Sequence, residues 1–335
     1  MGTNVLFDSD MDDDARRARL FAGDIFIYSP RDSVRAFAAF ARELVEEAFA
    51  PLDPPTAQFH MPVQEYAELL GRLKPHFIHH PESKAHLRAI FEDFGCDADK
   101  NYFDVPRLRS STSDNYLTSG IAYAWHPHRD TWYSAPPCQI NWWLPIWDIT
   151  AENAMAFHPV YWNRAVRNSS EGYNYYTWNN IHRGASITGH ITADPRPLPR
   201  ATEEIAIEPQ LRLLCPVGGI ILFSAAQMHS SVPNTSGVTR FSIDFRHVHL
   251  DDVANRKGAP NTDEACTGTT MRDYQRGADL ARLPEELIAL YDDDTAAEGR
   301  LVYEPGPERK PIRRVDQTAE PMAAPPDPKT RAVRR

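Results

Sequence analysis

The chain has 335 residues, 36 Lys plus Arg against 46 Asp plus Glu, and a formal net charge of −10. That length allows one large core or two smaller ones, and that acidity makes duplex nucleic acid a poor partner. No apolar run reaches the roughly 18 residues of a membrane helix, and "MGTNVLFDSDMDDDARR" lacks the basic and apolar regions of a secretory leader.

Residues 1–20 read as an acidic, mobile start. Three amphipathic helices follow. Asp32 or Ser33 can cap the first, whose Val34, Phe37, Phe40, Leu44 and Val45 keep helical spacing. The second lies near 62–74, with Val63, Tyr66, Leu70 and Leu73 on one side; Ser83 opens the third, which carries Leu87, Ile90, Phe91 and Phe94 before Gly95 stops it. After residue 100 the texture changes to short β-prone runs: "GIAYAWHPH", "CQINWWLPIW", "EIAIEPQLRLLC", "GIILFS" and "TRFSIDFRHVHL". No helical pattern separates them, so parallel winding is not expected, and a helical flank packed on an antiparallel sandwich or barrel fits best. An aromatic insertion near 157–200 breaks the run; its first part, 157–183, holds Phe157, Tyr161, Trp162, Tyr173, Tyr175, Tyr176 and Trp178. Residues 304–335 contain seven prolines and few large apolar side chains, and read as a disordered tail. Residues 21–303 are then a single catalytic domain. Cys96, Cys138, Cys215 and Cys266 form no Cys-x-x-Cys pair, which suits free thiols in a reducing cytoplasm.

"WHPHRDTWY", residues 125–133, raises the question of a metal. With 13 histidines, about one His-x-Asp is expected by chance, and His249-Leu250-Asp251 matches as well. On a strand, His128 and Asp130 would share a face and could meet one ion. Two imidazoles and one carboxylate on one side of a metal, with the other positions open, suit non-haem Fe(II). A second histidine must come from elsewhere. In "GGIILFSAAQMHSSVPN" a Gly-Gly turn launches an apolar strand that ends near His229, whereas nothing comparable follows His249, the last histidine. Eleven positions after His229 comes Arg240, then Phe241 and Ser242. Arginine holds a carboxylate through two parallel hydrogen bonds, and Ser242 lies on the same strand face. A 2-oxo acid could chelate the metal at one end and meet Arg240 at the other.

"HRD", "ENAMAFHPVYW", "GGIILFSAAQMHSSVPN" and "TRFSIDFR" stand in an order that resembles the Fe(II)/2-oxoglutarate-dependent oxygenases, within them the phytanoyl-CoA hydroxylase-like branch, over residues 119–250. The resemblance implies a double-stranded β-helix, a jelly-roll, cupin-like barrel with N-terminal helices against it. It implies that His128, Asp130 and His229 bind Fe(II), and that Arg240 with Ser242 binds the C5 carboxylate of 2-oxoglutarate. Such enzymes use the cosubstrate and O2 to attack an unactivated C–H bond, releasing succinate. Halogenating relatives lack the carboxylate ligand; Asp130 is present here, which favours hydroxylation, desaturation or ring formation. Where relatives carry a Gly-containing turn before "PGSH", this chain has Asn153-Ala-Met-Ala-Phe-His-Pro, which alters the pocket wall.

Gln139, Asn141 and Trp143 share a face of "CQINWWLPIW". Gln139 or Asn141 is expected to reach the C1 carboxylate of 2-oxoglutarate, and His126 to make a hydrogen bond behind the ligands. Trp143, Thr131, Trp132, Phe157, Arg164 and Tyr175 are the candidates for the substrate pocket, with residues 160–200 as a mobile cover. Aromatic walls with Arg164, Arg167, His182 and Arg183 suit a small molecule with apolar surface and an anionic group, such as an amino-acid derivative or natural-product intermediate. Two other readings stand beside this one. His126-x-His128-x-Asp130 resembles the opening of the metallo-β-lactamase zinc motif, although Thr131 replaces the next histidine. A barrel that binds small molecules without chemistry is the other.

Overall fold

The computed structural model describes residues 2–121, 126–182, 189–191, 193–260 and 263–292. The tail 304–335, Arg183 and Trp125 lie outside the described residues. In chain order, β1 (Val5–Phe7), α1 (Asp13–Phe21), β2 (Ile25–Tyr28), α2 (Asp32–Phe49), α3 (Val63–His79) and α4 (Pro81–Asp93) come first. Then follow β3 (Asn101–Phe103), β4 (Arg107–Ser111), β5 (Ile140–Pro145), β6 (Met155–Phe157), the single-turn α5 (Tyr175–Thr177), β7 (Leu211–Leu213), β8 (Ile220–Ser224), β9 (His229–Ser231) and β10 (Arg240–His249). The short α6 (Leu250–Ala254), β11 (Gln275–Arg276) and α7 (Glu285–Ile288) complete it.

Eight strands form one sheet in the order β1-β2-β8-β5-β10-β3-β11, with β4 also paired to β10, and β7-β6-β9 form a second. All pairs are antiparallel except β1 with β2. Among the described residues the two sheets do not join into a closed barrel.

Side-chain alternation explains the layering. Phe26, Trp142, Leu144, Leu222, Phe241, Ile243 and Phe245 face α2, α3 and α4 in one core. Ile25, Ile27, Trp143, Ile221 and Phe223 face the small sheet, meeting Met155, Phe157 and Leu213. Strands covered on both faces read as continuous apolar runs, as "GIILFS" does. At Gly218 φ is +87°, and a Cβ on Gly219 would lie 2.8 Å from the Tyr28 carbonyl, so the turn that starts β8 beside β2 needs glycine.

The three expected helices form, with shifted ends. α3 continues through Pro75 to His79. α4 opens at Pro81, where the His80 ring accepts from the Glu82 N–H; Ser83 is inside the helix, not its cap. Residues 1–20, expected to be mobile, instead hold β1 and α1. Arg16 and Arg17 are buried there, Arg17 against Asp13 and Asp252. Of "EIAIEPQLRLLC" only β7 is strand. No helix among the described residues is long and apolar enough to cross a membrane. Cys96, Cys138 and Cys215 are buried free thiols and Cys266 is half-buried.

Candidate metal centre

Gln227-Met228-His229 carries β9 along the small sheet, and His128 joins it by an isolated bridge, each residue's N–H donating to the other's carbonyl at 3.0 Å. His128 and Asp130 are therefore not on one regular strand, as the spacing suggested. The chain turns immediately after the bridge, and Asp130 begins a 3-10 turn to Tyr133. That turn brings the carboxylate under the two imidazoles. His128 Nε2 lies 3.5 Å from Asp130 Oδ1 and His229 Nε2 lies 3.9 Å from it, with the two rings 4.4 Å apart. One ligand atom from each of the three falls within 4.8 Å of the others.

Each imidazole is oriented by a backbone carbonyl. His128 Nδ1 donates to the His126 carbonyl (2.8 Å) and His229 Nδ1 to the Gln227 carbonyl (2.9 Å). With Nδ1 protonated, Nε2 keeps its lone pair for a metal. Burial, with His128 beside it, pulls the His229 imidazole down to about 4, so it stays neutral near pH 7. Burial alone would raise Asp130, but Arg246 and the two histidines more than offset it and hold the carboxyl well below its usual range. Two imidazole Nε2 atoms and a carboxylate oxygen make a donor set that matches a divalent transition metal.

Asp130 uses its two oxygens differently. Oδ1 faces the histidines, while Oδ2 accepts from Asn141 Nδ2 (2.9 Å), Gln139 Nε2 (3.3 Å) and Arg246 Nε (3.4 Å). Asn141 and Gln139, expected on the cosubstrate's C1 carboxylate, both donate to the Asp130 carboxylate. Arg246 was missed by the sequence reading. Its other two nitrogens face Asp104 and Asp244, each at 3.3 Å. Strand alternation from Arg240 would have found it, because residues 240, 242, 244 and 246 share a face of β10.

Arg240 is buried at the far end of that face. Its guanidinium donates to the carbonyls of Asn153 (2.8 Å) and Ala154 (3.3 Å) and to Ser231 Oγ (3.1 Å), and lies 5.6 Å over the Trp143 ring. It makes no ion pair among the described residues, and burial pulls its pKa down to about 10. Arg240 Nε, Ser242 Oγ and the Oγ of Ser111, the residue paired with Arg240 across β4 and β10, are buried without hydrogen-bond partners among the described residues. A cation and three orphaned polar atoms in one place fit a carboxylate that brings its own acceptors.

The second His-x-Asp is a helix start: His249 Nδ1 accepts from the Asp251 N–H and opens α6. Its ring also lies near Asp13 and Asp14, but those carboxylates already pair with Arg16 and Arg17. His126 meets His128 through its carbonyl, while its ring donates to the Pro199 carbonyl at 3.0 Å.

A cleft of about 670 Å³ is lined by His126, Pro127, Thr118, Arg200, Ile205 and Ile207 among others, with none of the triad in its wall. None of the six pocket candidates lines it. Trp132 is wholly buried with Tyr161, Val166 and Met228, its indole N–H on Asp263, and has no surface to offer a ligand. Thr131 is buried with its carbonyl on Cys266. Arg164 is exposed and stacks on Tyr161 at 5.3 Å. Tyr175 donates to Asp273 and so ties the insertion to the C-terminal segment. Phe157 packs beside His229 at 6.2 Å, so it adjoins the triad, whereas Trp143 adjoins Arg240.

No family model matches the sequence, and no curated protein matches it. Some solved structures are similar to it at low identity. EvdO2 from Micromonospora carbonacea var. aurantiaca is 14% identical over 72% of this chain and 92% of that chain, with a TM-score of 0.40. A second EvdO2 structure, complexed with 2-oxoglutarate, is 15% identical over 74% and 94%, also at 0.40. The epimerase SnoN, in complex with Fe3+, alpha ketoglutarate and nogalamycin RO, is 17% identical over 76% and 98%, at 0.36.

Proposed function

We propose that the protein is an Fe(II)- and 2-oxoglutarate-dependent oxygenase of the phytanoyl-CoA hydroxylase-like kind, on a jelly-roll fold, hydroxylating an unactivated C–H bond of a small molecule. One observation carries the reading: two imidazoles and one carboxylate oxygen converge, and on β10 a buried arginine makes no ion pair among the described residues. His128, Asp130 and His229 would hold the metal. Arg240, with Ser242 and Ser111, would take the distal carboxylate of 2-oxoglutarate.

When bound, Fe(II) with 2-oxoglutarate supplies O2 activation, and the balance is 2-oxoglutarate, O2 and R–H to succinate, CO2 and R–OH. The chain's own groups prepare that reaction. The two backbone carbonyls keep both Nε2 atoms aimed at one point, and Arg246 with Asn141 keeps Asp130 ionised and turned. Trp143 and Phe157 keep water from the anchor and from His229. The cleft beside His126 is where a substrate of drug-like size fits; an amino-acid derivative or natural-product intermediate suits its mix of Ile205, Ile207, Thr118 and Arg200.

Incubation of the Fe(II)-loaded protein with fractionated metabolites under isotopically labelled O2 tests the reading. A product that gains one labelled oxygen, in step with succinate, is expected. Succinate formed with no product that carries the label would refute hydroxylation.

A further inference from the structure

We infer that Tyr274 is a positioning residue for the metal-binding carboxylate, acting through a relay of two side-chain amides; this rests on the metal-centre reading above. Tyr274 is fully buried, and its hydroxyl donates to Gln139 Oε1 at 2.6 Å. That contact occupies the carbonyl end of the Gln139 amide, so its NH2 end turns inward. It donates to Asn141 Oδ1 (2.8 Å) and Asp130 Oδ2 (3.3 Å). The Asn141 carbonyl is thereby used, and its own NH2 donates to Asp130 Oδ2 at 2.9 Å.

An amide accepts at one end and donates at the other. The direction set at Tyr274 therefore passes to Asp130. Reversing either amide would aim a carbonyl oxygen at a buried carboxylate, where the low dielectric makes the repulsion strong. With Oδ2 held by Asn141, Gln139 and Arg246, only Oδ1 faces His128 and His229, and Asp130 is confined to one-oxygen ligation. Tyr274 belongs to a separate core cluster with Tyr102, Val248 and Met271. Packing of the C-terminal segment is thus linked to the aim of the Asp130 carboxylate.

Tyr274→Phe keeps the ring and removes the hydroxyl. Partners that hold metal ligands from behind change metal affinity about 10–100-fold. We expect Tyr274→Phe to bind Co(II) about tenfold more weakly by titration calorimetry, with an altered Co(II) absorption spectrum as Asp130 turns. Asn141→Leu should lose at least as much, and adding Tyr274→Phe to it should cost little more, because both act through one relay. Tyr291→Phe removes a hydroxyl that donates to the Val253 carbonyl beside the same cluster, and should leave both readings unchanged. Wild-type Co(II) affinity and spectrum in a folded Tyr274→Phe protein would overturn the relay while leaving the metal centre standing. If the wild-type protein takes up no Co(II), the metal-centre reading fails and the relay with it.

Discussion

Arg240→Ala should abolish tight 2-oxoglutarate binding while leaving metal binding intact. Arg240 is 6% exposed, and the polar partners of its guanidinium are two carbonyls and a hydroxyl, none of which is charged. Truncating one partner of a buried, hydrogen-bonded charge pair costs about 2–5 kcal/mol. At about 1.4 kcal/mol per decade, affinity falls roughly 30-fold to several thousand-fold. Arg240→Lys should recover only part, since a point charge does not reproduce the fork. Arg246 is not a silent neighbour for comparison, because it touches Asp130; the exposed Arg42, paired with Glu46 on α2, is. Titration of 2-oxoglutarate into the anaerobic Fe(II) protein, for wild type, Arg240→Ala, Arg240→Lys and Arg42→Ala, measures the effect. An unchanged dissociation constant in Arg240→Ala, with folding intact, would refute the reasoning, because the orphaned cation would then serve no anion.

His128→Ala or His229→Ala should abolish Fe(II) binding and turnover, whereas His249→Ala should keep activity within a few-fold and lose about 1 kcal/mol of stability with the α6 cap; metal titration and thermal unfolding distinguish them. His247, buried with its Nδ1 accepting from the Trp142 indole N–H at 2.7 Å, is pulled by burial down to about 3. The unfolded chain takes up that proton at about pH 6.5 and the folded one does not. Stability should therefore be complete above that pH and fall as pH drops toward 3, and His247→Gln should flatten part of the slope in denaturant midpoints. Limited proteolysis within 160–200 should slow when metal, 2-oxoglutarate and substrate are all present; equal cleavage in both states would remove the cover.

The convergence of His128, Asp130 and His229 and the nearby Arg240 were legible because each rests on a short-range pattern: a His-x-Asp, a histidine at the start of a strand after an apolar run, and an arginine opening the next strand. The helical flank was legible for the same reason, since its apolar spacing is local. What escaped depends on partners distant in sequence. Arg17 is buried because Asp252 waits 235 positions away, so an acidic start that looks solvated is folded. Asn141 and Gln139 were placed on the correct face, but their partner is Asp130, set by a turn that strand periodicity does not foresee. Trp132 looks like a pocket residue beside the ligands, yet its ring points into a core closed by Asp263. Tyr274 carries no motif at all, and only its contact with Gln139 reveals it.

The most direct test is to load the purified protein with Fe(II) without oxygen, add 2-oxoglutarate, admit air, and quantify succinate. Succinate should form in the wild-type protein and be absent from His229→Ala and Arg240→Ala at the same cosubstrate concentration. A wild-type protein that holds Fe(II) yet leaves 2-oxoglutarate intact, with the metabolite fractions present, would contradict the assignment of this site to 2-oxoglutarate-dependent oxygen chemistry.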